Sequence, residues 1–302
     1  MPPNTPTAIR ASIRHLFDKD LVFLAGLPKS GTTWLQMLLD SHPKIVCKGE
    51  SHFVDIFYVE LNRQLNQYNQ LVLQQGGIVA HLKKYGGHVD SLQYNMDDAN
   101  YLLVVAIGLM FSKWLGNAEI EVIGEKTPDN IQYISLLAAI FPKAKFIHIV
   151  RDPRDCAVSS WFFSCSNLDK NKMLNQSFDE HILHYADYWQ QHIVSGRTSG
   201  MELGERYTEI YFEDLVEHPT AQLKNIISFL DVATTNDELH RCVSSTSFSS
   251  QTGGRKPGQE APDAFLRKGI VGDWRNHFGQ SLNDQFATIA GKSMKRFGYS
   301  IS

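Results

Sequence analysis

The 302-residue chain has only four cysteines, Cys47, Cys156, Cys165 and Cys242, and no two of them form a C-x-x-C pair. That spacing offers neither a structural zinc site nor a disulfide framework. No apolar run is long enough to span a bilayer. The longest, YLLVVAIGLMFSKWLG from Tyr101, is interrupted by Lys113 and reads as a buried helix. The opening MPPNTPTAIRASIRHLF has no apolar core and no small-residue cleavage site, so it does not read as a secretory leader, and a cytoplasmic location is expected. There is no internal repeat and no low-complexity linker. Nor is there a basic excess: the formal net charge is -3, which argues against a nucleic-acid binder and requires any cationic site to be local.

What is present is an ordinary globular composition, 43% hydrophobic and 20% charged, able to bury a sizeable core. Three apolar runs rich in Val and Ile read as buried strands: LVFLAG from Leu21, IEVIGE from Ile120 and KFIHIV from Lys145. YTEIYF from Tyr207 reads as a fourth. NIQYISLLAAIF from Asn130 puts Ile131, Ile134, Leu137 and Ala138 on one helical face. The alternation predicts an α/β fold, a central and mainly parallel sheet with helices on both faces, in one domain over residues 1–302. The segment from Phe53 to Leu115, rich in Gln, Asn, Tyr and Leu with Gly pairs at 76–77 and 86–87, reads as an inserted set of helices and loops forming an acceptor wall. The stretch 249–278, dense in Gly, Pro and charge, reads as an ordered loop that closes over a ligand.

Two motifs point to anions. In GLPKSGTTW, Gly26 and Gly31 let the backbone turn tightly, and Thr32 and Thr33 open a helix whose free amides favour an anion. Lys29 stands at the mouth of that nest. The other reading of this stretch is a plain strand-to-helix turn with a solvated lysine. A Walker A loop would need a lysine directly after the second glycine, and here Gly31 is followed by Thr32. In RDPRDCAVSSWFF, Arg151 follows the KFIHIV strand where a magnesium-dependent loop enzyme would offer a carboxylate. Asp152 and Pro153 read as a helix start, and Ser159 lies about two helical turns beyond Arg151. The other reading of Arg151 is a surface salt bridge with Asp155.

Together PKSGTTW, RDPRDCAVSSWFF and FLRKGIVGDWRNHF resemble the PAPS-dependent sulfotransferases, whose donor is 3′-phosphoadenosine 5′-phosphosulfate. The motifs occur in that family's order, and FEDLVEHPTAQLKNIISFL from Phe212 also resembles it. The resemblance implies transfer of a sulfuryl group from PAPS to a hydroxyl or amine, with PAP as product and no metal required. It implies that Lys29, Ser30, Gly31, Thr32 and Thr33 hold the 5′-phosphosulfate. Arg151 and Ser159, joined by Arg267, Lys268 and Gly269, would hold the 3′-phosphate. Trp34 and Phe248 match positions that sandwich adenine, with core packing the other reading for each. Phe212 replaces the family's usual tyrosine, so a hydroxyl contact to adenine is lost or supplied elsewhere. The late loop would close over the 3′-phosphate, mobile without nucleotide, with Trp274 packing it down and Asp273 pairing locally.

The acid–base group is less direct. Many cytosolic members use a histidine in a KTHLP-like stretch, but here GEKTPDN places Pro128 at that position. KGESHFVD instead resembles the acidic segment of membrane-bound carbohydrate and tyrosyl-protein members, and Glu50 falls on their catalytic glutamate. His52 and Glu125 are the other candidates, and Lys126 is either structural or touches the acceptor. The acceptor is expected to be a small molecule or a carrier-bound metabolite with a hydroxyl group, because residues 53–115 have aromatics but no large basic cluster. No nucleic-acid or membrane partner is expected. NDQFATIAGKSMKRFGYS lacks the short dimer signature of many cytosolic members, which leaves the oligomeric state open. The competing readings are a non-catalytic PAP or PAPS binder and an ATP-dependent P-loop kinase.

Overall fold

The computed structural model describes residues 19–75, 84–85, 93–115, 119–167 and 176–301. The chain divides into two compact units, one built from residues 19–51 and 117–302 and the other taking in residues 52–116. The first unit opens with β1 (Asp20–Ala25), α1 (Thr32–Asp40), β2 (Ile45–Gly49), β3 (Val122–Lys126) and α2 (Ile134–Ile140). It continues through β4 (Lys145–Val150), α3 (Pro153–Asn167), α4 (Phe178–Met201) and β5 (Tyr207–Tyr211). Helices α5 (Phe212–Glu217), α6 (Pro219–Phe229), α7 (Asn236–Ser245), the one-turn α8 (Phe248–Gln251) and α9 (Gln280–Arg296) complete it.

The five strands form one sheet in the order β2-β3-β1-β4-β5, with every pairing parallel. Four of the strands coincide with the runs expected from sequence. The fifth, Ile45–Gly49, is an edge strand in register with β3, so that Gly49 stands beside Lys126. A side chain at Gly49 would meet the Lys126 carbonyl at 2.1 Å, and only glycine allows that approach.

Parallel strands covered on both faces need apolar residues at nearly every position, which explains the continuous Val/Ile runs. On one face Val22, Leu24, Ile45, Cys47, Ile147 and Ile149 pack with Leu35, Leu38 and Leu39 of α1 and Leu223, Ile226 and Ile227 of α6. On the other, Phe23 stacks on Phe146 at 5.6 Å and meets Phe141 at the same distance. Trp189 of α4 is buried edge-on to Phe297, 5.7 Å away. Ile131, Ile134, Leu137 and Ala138 are all buried as expected, although a 3₁₀ turn over Pro128–Gln132 precedes α2.

A polar cluster interrupts the second face. The Tyr207 hydroxyl donates to Glu209 at 2.7 Å and lies 2.7 Å from Nδ1 of the fully buried His148. Arg197 of α4 donates two hydrogen bonds to Glu209, at 2.8 and 2.5 Å. Desolvation holds His148 below its usual pKa, while hydrogen bonds from His148, Arg197 and Tyr207 outweigh burial and hold Glu209 down at about 2.

The other unit carries a π-helical turn over Phe53–Tyr58, followed by helices Val59–Gln75 and Met96–Trp114. Phe53 meets Phe111 edge-on at 6.0 Å, and the Tyr58 hydroxyl donates to Asn100 at 2.5 Å. The helix expected to be buried has one buried face, with Leu103, Ile107 and Phe111, and exposes Tyr101, Leu109 and Met110. The Gly pairs at 76–77 and 86–87 lie outside the described residues. Among the described residues no helix is long and apolar enough to cross a membrane.

Helix α4 approaches β5 closely only because residue 200 is glycine: a Cβ there would sit 2.1 Å from the Tyr207 ring. Gly200→Ala is therefore expected to destabilise the fold by about 1–3 kcal/mol through overpacking, read from the midpoint of urea denaturation.

Candidate active site

The turn after β1 is shaped by close contacts. A Cβ at Gly26 would fall 2.8 Å from the Ser30 hydroxyl and from the Ile149 carbonyl, and one at Gly31 would fall 2.5 Å from the Phe212 ring. Gly31 also has φ 101°, a conformation that favours glycine, and Lys29 takes the left-handed region at φ 70°. Helix α1 starts at Thr32 with no side-chain cap. Its first-turn amides and the positive end of its dipole therefore face the turn. The Ser30 hydroxyl is buried with no hydrogen-bond partner among the described residues, as a donor awaiting an anion would be.

Strand β4 delivers the second cation. Arg151 donates from Nη1 to the Lys29 carbonyl at 3.1 Å and from Nη2 to the Ile270 carbonyl at 3.3 Å. Its guanidinium lies 4.2 Å from the centre of the Phe212 ring, and its Nε is buried without a hydrogen-bond partner among the described residues. Asp152 caps α3 as expected, accepting from the Arg154 amide at 2.9 Å. The Arg151–Asp155 pair exists at 3.8 Å, but it is buried and not on the surface. The Asp155 oxygens accept the amides of Gly272 at 2.7 Å and Trp274 at 2.9 Å, which anchors the late loop to α3.

Within that loop, Arg267 pairs with both Glu260 and Asp273, and Lys268 donates to Asp273 at 2.6 Å. Burial raises the Asp273 pKa, yet hydrogen bonds from Lys268, Arg267 and Asn276 hold it well below the carboxylate range. Arg255 donates to the carbonyls of Gln259, Leu266 and Arg267 at 3.1, 2.6 and 2.9 Å. Trp274 is buried beneath the Arg154 guanidinium, 3.6 Å away. The loop expected to order on ligand binding thus already carries a dense set of bonds of its own.

These segments enclose a cavity of about 510 Å³ lined by Lys29, Gly31, Thr32, Thr33, Trp34, Glu50, Arg151, Ser159, Phe212, Phe248, Arg267, Lys268 and Gly269, among others. Every nucleotide-site residue named from the sequence lines it except Ser30, which lies buried in the turn. The Trp34 indole donates to the Thr246 carbonyl at 3.0 Å and meets Phe212 edge-on at 6.0 Å. A Cβ at Gly269 would strike the Phe248 ring at 2.4 Å.

The three candidate acid–base groups part company. Glu50 lines the cavity and accepts from Lys126 Nζ at 2.5 Å. That ammonium, on a buried residue, also donates to Thr33 Oγ1 at 3.2 Å. Glu125 is 1% exposed and accepts from the Ser51 amide, the Thr127 hydroxyl and the Asn130 amide nitrogen at 3.1, 2.7 and 2.8 Å. Burial raises its pKa above the usual range. His52 belongs to the other unit and pairs there with Asp55 at 2.6 Å. Among the described residues, no group of three or more His, Cys, Asp or Glu side chains is arranged to hold a metal ion.

Against known proteins, the model of the sulfotransferase family matches residues 21–237. The chain belongs to the sulfotransferase family. It is 26% identical to protein-tyrosine sulfotransferase 1 of Danio rerio over 239 residues, 78% of this chain and 60% of that protein. It is 24% identical to cytosolic sulfotransferase 11 of Arabidopsis thaliana over 312 residues, 95% of this chain and 76% of that one. The fold is similar to mouse sulfotransferase SULT7A1 complexed with PAP, with TM-score 0.59 at 19% identity, covering 94% of this chain and 89% of that one. It is also similar to sulfotransferase STF9 of Mycobacterium avium, with TM-score 0.55 at 14% identity and coverage of 97% and 82%. The chain thus spans 60% of the zebrafish relative's length and more of the plant one's.

Sequence reading of this family member missed the rings around Lys29. Its Nζ lies 4.1 Å from the centre of the Phe163 ring and 4.8 Å from that of Phe265. Phe163 is four residues after Ser159, so helical spacing could have placed it on the same side of α3. Phe265 could be found only through the loop's conformation. Burial, and next the Arg151 guanidinium, lower the Lys29 pKa from 10.5 to about 8. Below about pH 8 the folded protein carries this unfavourable charge. Between 8 and 10.5 the folded state has released a proton that the unfolded chain keeps, so stability rises with pH. Lys29→Met is expected to stabilise the protein at pH 7 by about 1–3 kcal/mol, with the advantage shrinking as pH rises past 8 towards 10.5, as read by urea denaturation.

Proposed function

We propose that this chain transfers a sulfuryl group from PAPS to the hydroxyl of an acceptor, leaving PAP. The observation that carries the reading is one cavity where Lys29, Arg151, Arg267 and Lys268 converge beside the first turn of α1. The donor fits the residues present: among the described residues Ser30 and Arg151 each keep a buried polar atom unpartnered, and Gly31 lets the turn pack directly against the Phe212 ring. The neighbour SULT7A1, crystallised with PAP, supports the same ligand.

The chemistry supplied by the donor is a sulfur–oxygen bond that breaks as the acceptor oxygen forms a new one to sulfur. The chain's part is positioning and charge stabilisation. Lys29, Ser30 and the Thr32 and Thr33 amides hold the 5′ end, and the Lys29 ammonium offsets charge developing on the departing oxygen. Arg151, Ser159 and the Arg267–Gly269 loop hold the 3′-phosphate, and Trp34 and Phe248 hold the base.

Glu50 accepts the acceptor proton in this reading. It is the candidate carboxylate that lines the cavity, whereas the oxygens of Glu125 serve the backbone of the Glu50 loop and its neighbours. Lys126 keeps the Glu50 carboxylate oriented towards the Thr33 end of α1. The aromatic faces beside Lys29 suit a small acceptor whose hydroxyl sits on an apolar or aromatic body, such as a phenol.

Calorimetric titration is expected to show PAP binding that falls at least about tenfold in Arg151→Ala, as loss of a charge-assisted phosphate contact implies. Glu50→Gln should keep PAP affinity and lose about 10²–10⁴-fold in transfer from PAPS to a phenol panel. Absence of PAP binding would sink the reading, and full activity in Glu50→Gln would remove Glu50 from the base role.

A further inference from the structure

The cations of the late loop are already engaged. Arg267 directs Nη1 to Glu260 and Nη2 to Asp273, so both ends of its fork serve carboxylates of the same loop. Lys268 gives Nζ to Asp273 at 2.6 Å and approaches Glu260 at 3.8 Å. A guanidinium grips a phosphate bidentately through two such N–H donors. With both Nη atoms already engaged, an incoming phosphate competes with these carboxylates for the same guanidinium.

The two carboxylates differ in how firmly they are held. Asp273 is 3% exposed and accepts from Arg267, Lys268 and Asn276. Its neighbour Trp274 is pinned through its amide to Asp155. Glu260 has a side chain one-third exposed (33%), and among the described residues it pairs with the two loop cations. The Gly258 and Ala261 amides donate to the Lys268 and Arg267 carbonyls at 2.8 and 2.9 Å, which ties the Glu260 segment to the residues that line the cavity. Asp273 lines the cavity and Glu260 does not, yet Glu260 holds one end of the Arg267 fork.

We propose that Glu260 is an internal competitor for the nucleotide's 3′-phosphate, releasing Arg267 when that phosphate arrives and reclaiming it when PAP leaves. The inference rests on the nucleotide reading above and adds to it a residue that sets affinity. In this arrangement Asp273 stays in place as the fixed counter-charge, and Glu260 is the mobile one. Its consequence is selective: a nucleotide without a 3′-phosphate has nothing to exchange for the Glu260 carboxylate and leaves the pair undisturbed.

The test is calorimetric titration of the unaltered chain, Glu260→Gln and Glu260→Ala with PAP and with AMP, which lacks the 3′-phosphate. Both variants are expected to bind PAP between about threefold and tenfold more tightly, the range for a partly exposed ion pair, with AMP affinity unchanged. Weaker or unchanged PAP binding in both variants would overturn the inference, by showing Glu260 to be a buttress or a bystander. An equal gain for PAP and AMP would overturn it too, since the effect would then be general electrostatics. If the unaltered chain binds no PAP, the nucleotide reading itself falls and the inference with it.

Discussion

Four cations share one cavity in a protein whose formal net charge is -3, and their mutual repulsion is the constraint that shapes the site. Three different devices balance them. Arg151 is surrounded by two backbone carbonyls, the Phe212 ring and the buried carboxylate of Asp155. Arg267 and Lys268 are neutralised by carboxylates of their own loop. Among the described residues no carboxylate forms a salt bridge with Lys29, but the two aromatic faces beside it attract a cation without bringing a full negative charge into an anion's path. Burial, and next the repulsion of the Arg151 guanidinium, lower the Lys29 pKa to about 8.

The sheet explains how so many segments reach one place. In a parallel sheet every strand ends on the same side, and ligands bind outside the carboxyl ends. Here β1 runs into the Gly26–Thr33 turn, β2 into Glu50, β3 ends at Lys126, β4 leads to Arg151 and β5 to Phe212. The register brings Gly49 of β2 beside Lys126 of β3, and Glu125 fixes the Ser51 amide from the same strand. The late loop belongs to no strand. It is tied to this edge by Arg151, which donates to the Ile270 carbonyl, and by Asp155 in the first turn of α3, so the helix that follows Arg151 also anchors the segment that carries Arg267 and Lys268.

Much of this was legible in the sequence because the governing patterns are local. The Val/Ile runs of β1, β3, β4 and β5 announce strands buried on both faces, and the helix start at Asp152–Pro153 is a cap signal that acts within a few residues. Strand β2 escaped notice because KIVCKGE is short and carries lysines that belong to an edge, where Lys48 reaches the half-buried Asp40. The counter-charges escaped for another reason. Glu260 meets Arg267 across a loop whose turns are set by Arg255 and its three carbonyl acceptors, and no periodicity encodes that pairing. Glu125 was a reasonable candidate by its neighbours in sequence, but its burial became visible only once β3 was placed inside the sheet, between β2 and β1.

Glu50, the proposed base, and the turn after β1 meet at one ammonium. Lys126 Nζ donates both to the Glu50 carboxylate and to Thr33, the second residue of α1. A buried ammonium must be paired, and removing its partner leaves a charge that is costly to desolvate. The pairing therefore ties the position of the Glu50 carboxylate to the helix start that faces the anion turn, and a shift on either side would be felt on the other. Glutamine at position 50 keeps an oxygen for Lys126 and removes only the basic carboxylate, whereas alanine would also release the ammonium. Loss of activity in the alanine variant alone would thus report on positioning as much as on proton transfer.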